Sequence, residues 1–325
     1  MTRRPMGFTL IEQPFDKPRA VRRREGSAFT LIELLVVVAI MALLIGLLAP
    51  SLHQARDQAK TTVCASNMRQ VALGWTLYAL THNDKAVAGR MPKYNPKSDP
   101  RNMYYVGNGR QYRPRWYIML GAESGFYAYD DPSVDPSDDN TKQIDNEVFL
   151  CPKVPRWVNN RNHCYGYNYQ FLGNSRTRSG GTVGHDFVNW PVNASRINGA
   201  GTVLAADNLG TAASFAVTER RPYDATCSRK HPANWGEHGW SLDPPRRTPD
   251  SDTCNNEERG SRSAPDPRHN GKANFSFCDG HVDTATPESM GYVINDDGSI
   301  DLDGGPGASN VSFSGTGRDE DPPPI

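Results

Sequence analysis

Four side chains of metal-binding type stand in the second half of the sequence. Asp207, His269, Asp279 and His281 carry carboxylate and imidazole groups, which bind Zn²⁺ or Ca²⁺ in many proteins. Strand alternation places His281 and Asp283 on one face and supplies no obvious third ligand. The other interpretation is structural: Asp279 forms a turn, and a His269 hydrogen bond ties the preceding loop to the next hairpin. We favour the structural roles.

A second acidic stretch lies near the C-terminus. Asp296, Asp297, Asp301 and Asp303 follow one another closely, and carboxylate oxygens are the ligands that Ca²⁺ prefers. The stretch lacks the complete Asp-x-Asp-x-Asp-Gly…Glu pattern of a calcium loop. The sequence therefore predicts no cofactor, and Ca²⁺ here or Zn²⁺ at the histidines stays an open alternative.

The chain contains six cysteines, and six cysteines allow 15 pairings. Two pairs each close a Pro- and Gly-rich loop and are candidate disulfides in an oxidising compartment. These candidates are Cys151 with Cys164 and Cys227 with Cys254. Cys64 and Cys278 are expected to be free buried thiols. No C-x-x-C motif occurs, which disfavours a zinc ribbon or a thioredoxin-like site.

Signatures of known enzymes are missing from the sequence. It has no G-x-S-x-G, no P-loop, no H-E-x-x-H and no dinucleotide-binding fingerprint. The 36 basic and 36 acidic side chains cancel, so charge gives no argument for nucleic acid as a partner. Trp190, Trp235 and Trp240 could line a carbohydrate surface, but aromatic residues in a Gly-rich domain are more often core or loop anchors.

Asp279 and His281 lie on the clearest local element of the sequence. Two alternating runs, 273–278 and 281–284, are joined by Asp279-Gly280. This pattern predicts a β-hairpin with a type I′ turn, in which both central residues have φ > 0.

Other short apolar runs surround this hairpin and predict further strands between long polar loops. They are Arg115–Leu120, Val148–Leu150, Tyr165–Leu172 and Thr202–Ala206. Together with a long N-terminal helix they predict an α+β fold with a small antiparallel sheet. We expect an extracytoplasmic head over residues 83–294 and a disordered tail rich in Asp, Gly, Ser and Pro over 295–325.

One apolar stretch near the N-terminus organises the rest. Residues 34–49 carry no charged side chain, and with 29–32 they reach roughly the 20 residues that span a hydrocarbon core as a helix. Glu33 is the exception, and a carboxylate in lipid requires a partner. Pro50 is expected to bend the helix as it leaves the membrane. Beyond it, apolar spacings of three and four predict an amphipathic helix over 51–82.

The residues before this stretch distinguish it from a cleaved signal peptide. Arg22-Arg23-Arg24 is followed by Gly26-Ser27-Ala28, so the small residues precede the apolar run, whereas a signal peptide is cut after it. Phe29-Thr-Leu-Ile-Glu33 followed by an apolar helix resembles the processing motif of type IV prepilins and type II secretion pseudopilins. The family usually has Gly where this chain has Ala28.

This resemblance implies a processing pathway and a set of partners. Prepilin peptidase would cut between Ala28 and Phe29 and N-methylate the new terminus, and Glu33 would guide assembly with other pilin or pseudopilin subunits. Residues 1–28 are then a cytoplasmic leader with more basic than acidic residues, which keeps this end cytoplasmic. The helix over 29–50 would cross the lipid of the inner membrane once.

Two further motifs bear on this resemblance. Gly7-Phe-Thr-Leu-Ile-Glu12 repeats the processing motif, but two prolines and two charges follow it, so we interpret it as a decoy or a duplication. At the other end, His269 and Asp279-Gly280 resemble the H-X9-DG element of a prepilin-associated subgroup of planctomycete-type bacteria. Cys151-Pro152 and the Tyr165–Asn168 run match that subgroup loosely.

The sequence thus favours a structural, non-enzymatic subunit of a type II secretion or type IV pilus-like fibre. The alternative is a single-helix envelope protein, a binding module or a hydrolase, that uses the prepilin route for sorting only. The sequence leaves open whether the subunit is major or minor, which system it serves and what that system secretes.

Overall fold

The computed structural model describes residues 30–132, 144–154, 163–173, 176–177, 187–188, 191–221, 231–248 and 260–323. The chain divides into two compact units, Met1–Leu52 and His53–Ile325. The long helix α1, Leu31–Thr81, begins in the first unit and ends in the second, and Pro50 lies inside it.

The first unit contributes an exposed apolar helix. Every residue of α1 from 31 to 52 is exposed, although most are Leu, Ile, Val, Ala or Met. This part of α1 is long and apolar enough to cross a membrane. Exposing a continuous apolar surface of this size to water is unfavourable, so the segment requires lipid or other apolar helices around it.

In the second unit, one face of α1 packs on the head. The buried residues Cys64, Met68, Val71, Trp75 and Tyr78 recur every three or four positions, as the amphipathic pattern predicted. The apolar spacing also predicted that the buried face of α1 would begin further upstream. Leu52 and Val63, which precede this face, are instead about half exposed, at 52% and 50%.

The α1 face packs on a five-stranded antiparallel sheet. Its strand order is β3-β6-β8-β9, and β7 also pairs with β6. The strands are β3 (Tyr165–Tyr167), β6 (Val203–Gly210), β7 (Ala264–Pro265), β8 (Ala273–Phe277) and β9 (Val282–Ala285). Trp75 of α1 donates its indole N–H to the hydroxyl of Tyr167 on β3, at 3.2 Å. The predicted α+β, pilin-like fold is confirmed.

Shorter elements surround this sheet. Two antiparallel ribbons are formed by β1 (Met103–Tyr105) with β2 (Arg110–Tyr112), and by β4 (Arg176–Thr177) with β5 (Phe187–Val188). Two one-turn helices follow one another, α2 (Trp116–Met119) and α3 (Gly121–Ser124). The 3₁₀ segments are Pro100–Asn102, Glu147–Phe149, Ala194–Arg196, Gly199–Gly201, Thr211–Ser214 and Glu288–Met290, and Tyr169–Gly173 forms a π turn.

The predicted hairpin is present as β8–β9, but its turn is of another type. Gly280 N–H bonds to the Phe277 carbonyl at 2.9 Å, and Phe277 N–H bonds to the His281 carbonyl at 2.9 Å. Gly280 has φ +94°, whereas Asp279 is not among the residues with positive φ. The loop is therefore a three-residue turn with a left-handed glycine, and the type I′ prediction was wrong.

Three predicted strands need correction. Trp116–Met119 within the first run forms α2, residues 148 and 149 of the second belong to the 3₁₀ turn Glu147–Phe149, and Tyr165–Leu172 stops being extended after Tyr167. Short apolar runs have no periodicity that separates a buried strand from a buried turn of helix, which explains these errors.

The C-terminal segment predicted to be disordered is packed against the sheet as far as it is described. Phe313 is fully buried, and Ile300 is 7% exposed. Val203 N–H bonds to the Ser312 carbonyl at 2.7 Å, and the Asn168 amide donates to the Phe313 carbonyl at 2.9 Å. Composition alone led to the error, because a few buried apolar residues hold a segment otherwise made of turns.

Candidate functional site

Four buried side chains of metal-binding type meet beneath α1. They are Cys64 on α1, Cys151 after the 3₁₀ turn Glu147–Phe149, Asp207 on β6 and His269 before β8. Their ligand atoms all lie within 4.8 Å of one another, and none of the four residues is more than 3% exposed. We call this group the buried tetrad.

Two of the closest contacts within the tetrad are made by the same ring nitrogen, His269 Nε2. His269 Nε2 lies 3.1 Å from Asp207 Oδ2 and 3.6 Å from Cys151 Sγ. Cys64 Sγ lies 3.3 Å from Asp207 Oδ1, the other oxygen of the same carboxylate. The four side chains therefore surround a common centre and do not form a linear chain.

Local structure explains why His269 and Asp207 reach this centre. Asn270 and Gly271 both have positive φ, and His269 and Lys272 exchange two backbone hydrogen bonds across them, at 2.9 and 3.2 Å. This is the geometry of a type I′ turn, which Asn-Gly favours. Asp207 lies on β6, every residue of which is buried, so its carboxylate must find partners inside the protein.

The second nitrogen of the His269 ring is also held. Nδ1 lies 2.9 Å from the hydroxyl oxygen of Thr61 on α1. That hydroxyl donates its own proton to the Asp57 carbonyl at 3.0 Å, so its oxygen accepts from Nδ1–H. This arrangement fixes the proton on Nδ1 and directs Nε2 to the centre of the tetrad.

Other groups hold the carboxylate and one of the thiols. The Asn274 backbone N–H donates to Asp207 Oδ2 at 2.9 Å, and Arg268 Nη1 lies 3.9 Å from Asp207 Oδ1. The Tyr165 hydroxyl lies 3.4 Å from Cys64 Sγ. Each of these contacts restricts the orientation of a member of the tetrad.

The electrostatics of the tetrad favour negative charge on two of its members. Burial raises the pKa of Asp207, but Arg268 and His269 outweigh burial and hold it below its ordinary value. A hydrogen bond from Cys64 lowers the pKa of Cys151 to about 6, whereas burial raises the pKa of Cys64. Burial lowers the pKa of His269, yet its bonds to Asp207 and Cys151 raise it to about 9. At neutral pH, a protonated His269 therefore lies beside two anions, Asp207 and Cys151.

The same residue types occur in catalytic triads, but this geometry differs. In a triad the nucleophile contacts one ring nitrogen and the carboxylate contacts the other. Here Cys151 and Asp207 both contact Nε2, and Nδ1 bonds to Thr61. The burial of all four side chains also denies a substrate access to either thiol.

The candidate metal-binding residues of the sequence, for which structural roles were favoured, are divided between two places. His269 and Asp207 meet in the tetrad, and His269 bonds to α1 as well as to its own turn. Asp279 and His281 pair with each other at the exposed hairpin turn, where His281 Nδ1 lies 2.6 Å from Asp279 Oδ1. Gly280 supplies the left-handed turn residue between them.

The cysteine predictions have mixed outcomes. Cys151 and Cys164 are both free thiols, so their expected disulfide is absent, and Cys151 faces His269 instead. Cys64 and Cys278 are free and buried, as predicted. Cys227 and Cys254 lie outside the described residues. No spacing rule could have selected Cys64 and Cys151 as partners of His269, because they come from distant parts of the chain.

At the other end of the chain, the structure describes Glu33 but not Ala28 or Phe29. Glu33 accepts hydrogen bonds from the backbone N–H and the hydroxyl of Thr30, both at 2.9 Å. The Thr30 hydroxyl oxygen in turn accepts from Glu33 N–H at 3.2 Å. These reciprocal bonds form a capping box at the start of α1.

Comparisons with known proteins agree with this N-terminal pattern. The family model of the prokaryotic N-terminal methylation motif matches residues 23–49. The type II secretion system core protein G of Pseudomonas aeruginosa is 30% identical over 122 residues, which are 34% of this chain and 84% of that protein. The type IV wide pilus major component PilA4 of Thermus thermophilus is 38% identical over 134 residues, 40% of this chain and 99% of that protein.

No solved structure matches the chain significantly. The two curated relatives are matched over 84% and 99% of their own length, and the family model matches the N-terminal motif. The chain therefore belongs to the prepilin-type family of type II secretion pseudopilins and type IV pilins.

Proposed function

We propose that this chain is a structural subunit of a type II secretion or type IV pilus-like fibre. Prepilin peptidase cuts it between Ala28 and Phe29 and N-methylates Phe29, and the mature subunits assemble through α1. The observation that carries the proposal is the full exposure of the apolar part of α1 over residues 31–52. In a fibre, the corresponding helices of neighbouring subunits cover that surface.

The proposed location before assembly is the inner membrane. The basic residues of the leader hold the N-terminus in the cytoplasm, and everything after Pro50 lies on the opposite side of the membrane. The proposed partners are prepilin peptidase, other pilin-like subunits and membrane lipid. The proposed role requires no enzymatic activity and no nucleic acid.

We further propose that the chain is of the H-X9-DG type. His269 and the Asp279-Gly280 turn both flank β8, so the element connects the buried tetrad to the hairpin. The nine residues between His269 and Asp279 contain β8. The length of this strand therefore sets the distance between the histidine and the Asp-Gly turn.

The mature N-terminus tests the proposed processing. Mass spectrometry of the protein isolated from membranes should find N-methyl-Phe29 as the first residue. Ala28→Gly should be processed at least as well, whereas the bulky side chain of Ala28→Leu should block cutting. Recovery of the leader with Arg22–Arg24 on the wild-type protein, or of a terminus beyond Pro50, would contradict the proposal.

A further inference from the structure

We propose that the buried tetrad binds one Zn²⁺ ion as a closed structural site in the head. The four donors would be the thiolates of Cys64 and Cys151, one Asp207 oxygen and His269 Nε2. This site is independent of fibre assembly, because all four residues belong to the unit His53–Ile325.

The donor atoms of the tetrad are spaced close to the separations that a tetrahedral ion requires. Bonds of about 2.3 Å to sulfur and about 2.0–2.2 Å to nitrogen or oxygen require donor-to-donor separations of about 3.3–3.8 Å. His269 Nε2 lies 3.1 Å from Asp207 Oδ2 and 3.6 Å from Cys151 Sγ. Cys64 Sγ lies 3.3 Å from the other carboxylate oxygen, Asp207 Oδ1, and the ligand atoms of the four residues all lie within 4.8 Å of one another. Small side-chain adjustments bring them into the required range.

The donor types select zinc over the alkaline-earth ions. Thiolate and imidazole are borderline-soft ligands, whereas Ca²⁺ takes six to eight oxygen ligands. Four protein donors complete a tetrahedral shell and leave no position for substrate, which is the arrangement of structural zinc sites.

The groups around the tetrad orient its ligands, as the groups around bound metal ions do. The non-coordinating nitrogen of His269 donates to Thr61, as metal-bound histidines usually donate to an outer partner. Arg268, whose side chain is 9% exposed, lies 3.9 Å from Asp207. A zinc ion with two thiolates and one carboxylate carries a net charge of −1, and this guanidinium, which also pairs with Asp266 at 2.9 Å, lies beside it.

Such a site would tie four distant segments together. α1, the segment after Phe149, β6 and the turn before β8 each contribute one ligand. Among the described residues the cysteines are free thiols, so zinc would supply the cross-link that disulfides supply in many secreted domains.

Elemental analysis and zinc X-ray absorption of the full chain in mild detergent test this inference. We expect about one zinc per chain, with two sulfur neighbours at about 2.3 Å and two nitrogen or oxygen neighbours at about 2.0–2.2 Å. Cys64→Ser and His269→Asn should lose the zinc, and Cys278→Ser, which removes a buried free thiol outside the tetrad, should retain it.

Three results would overturn the inference. They are a reduced wild-type protein that takes up no zinc on incubation with Zn²⁺, a zinc shell without sulfur, and a disulfide between Cys64 and Cys151 in the isolated protein. Thermal unfolding gives a second readout: a zinc chelator should lower the Tm of the wild-type and Cys278→Ser proteins and leave His269→Asn unchanged. An unchanged wild-type Tm after complete zinc removal would contradict the structural role.

Discussion

Glu33 has two uses that belong to two stages of the proposed pathway. In the described chain it completes the capping box with Thr30. Cutting before Phe29 would create an ammonium group four residues upstream of Glu33 in the sequence. In lipid a carboxylate is costly without such a partner, and the ammonium of a neighbouring subunit can serve equally well.

Replacing Glu33 with Gln separates these two uses. Gln retains the capping box but removes the charge. Glu33→Gln should therefore be cut and inserted normally yet should lose association with its partner subunits. Cross-linking of the membrane helices in wild-type and variant cells measures this. Equal yields in the two would mean that Glu33 does not guide assembly, and they would favour the sorting-only alternative.

Sequence reasoning located half of the buried tetrad. His269 and Asp207 stood out because imidazole and carboxylate groups flanked apolar strands. Cys64 and Cys151 did not, because their proximity depends on how α1 packs on β3 and β6, which no local pattern encodes. The Asn270-Gly271 pair was a local signal for the turn that presents His269, and it carries the type I′ turn that we expected at Asp279-Gly280.

At the scale of elements, helical periodicity was the reliable guide and short apolar runs were not. The spacing of Met68, Val71 and Trp75 predicted the α1 face that is buried, since a face repeated over several turns has few alternatives. The strands β6 and β8 were also found, but Arg115–Leu120 folds as a helix. Tertiary packing decides the conformation of such short segments.

The packing of α1 on the sheet gives a stability prediction. Met68 is 1% exposed in the core beneath α1, so Met68→Ala should lower the free energy of unfolding of the full chain by about 2–5 kcal/mol. Leu73 on the same helix is 55% exposed, and Leu73→Ala should change stability much less. Chemical denaturation in detergent, followed by tryptophan fluorescence, measures both. Similar losses for the two variants would contradict this packing.

For the whole molecule, the two units of the chain differ in what they contain. The unit Met1–Leu52 presents an apolar helix with no described residue buried, and the unit His53–Ile325 contains the core, the sheet and the tetrad. From its hydropathy, the sequence predicted a membrane helix over 29–50, an amphipathic helix over 51–82 and a head over 83–294. It did not predict that residues 295–323 complete the second core, because their Gly, Pro and Asp content resembles that of disordered chains.

The most direct test of the fibre-subunit function is photo-cross-linking from α1 in native membranes. A photo-reactive amino acid in place of Leu44, which is 53% exposed, should form adducts with other pilin-like chains. These adducts should disappear when Ala28→Leu prevents processing, because the uncut subunit cannot join a fibre. Adducts with lipid alone, or subunit adducts of equal yield with and without processing, would contradict the account.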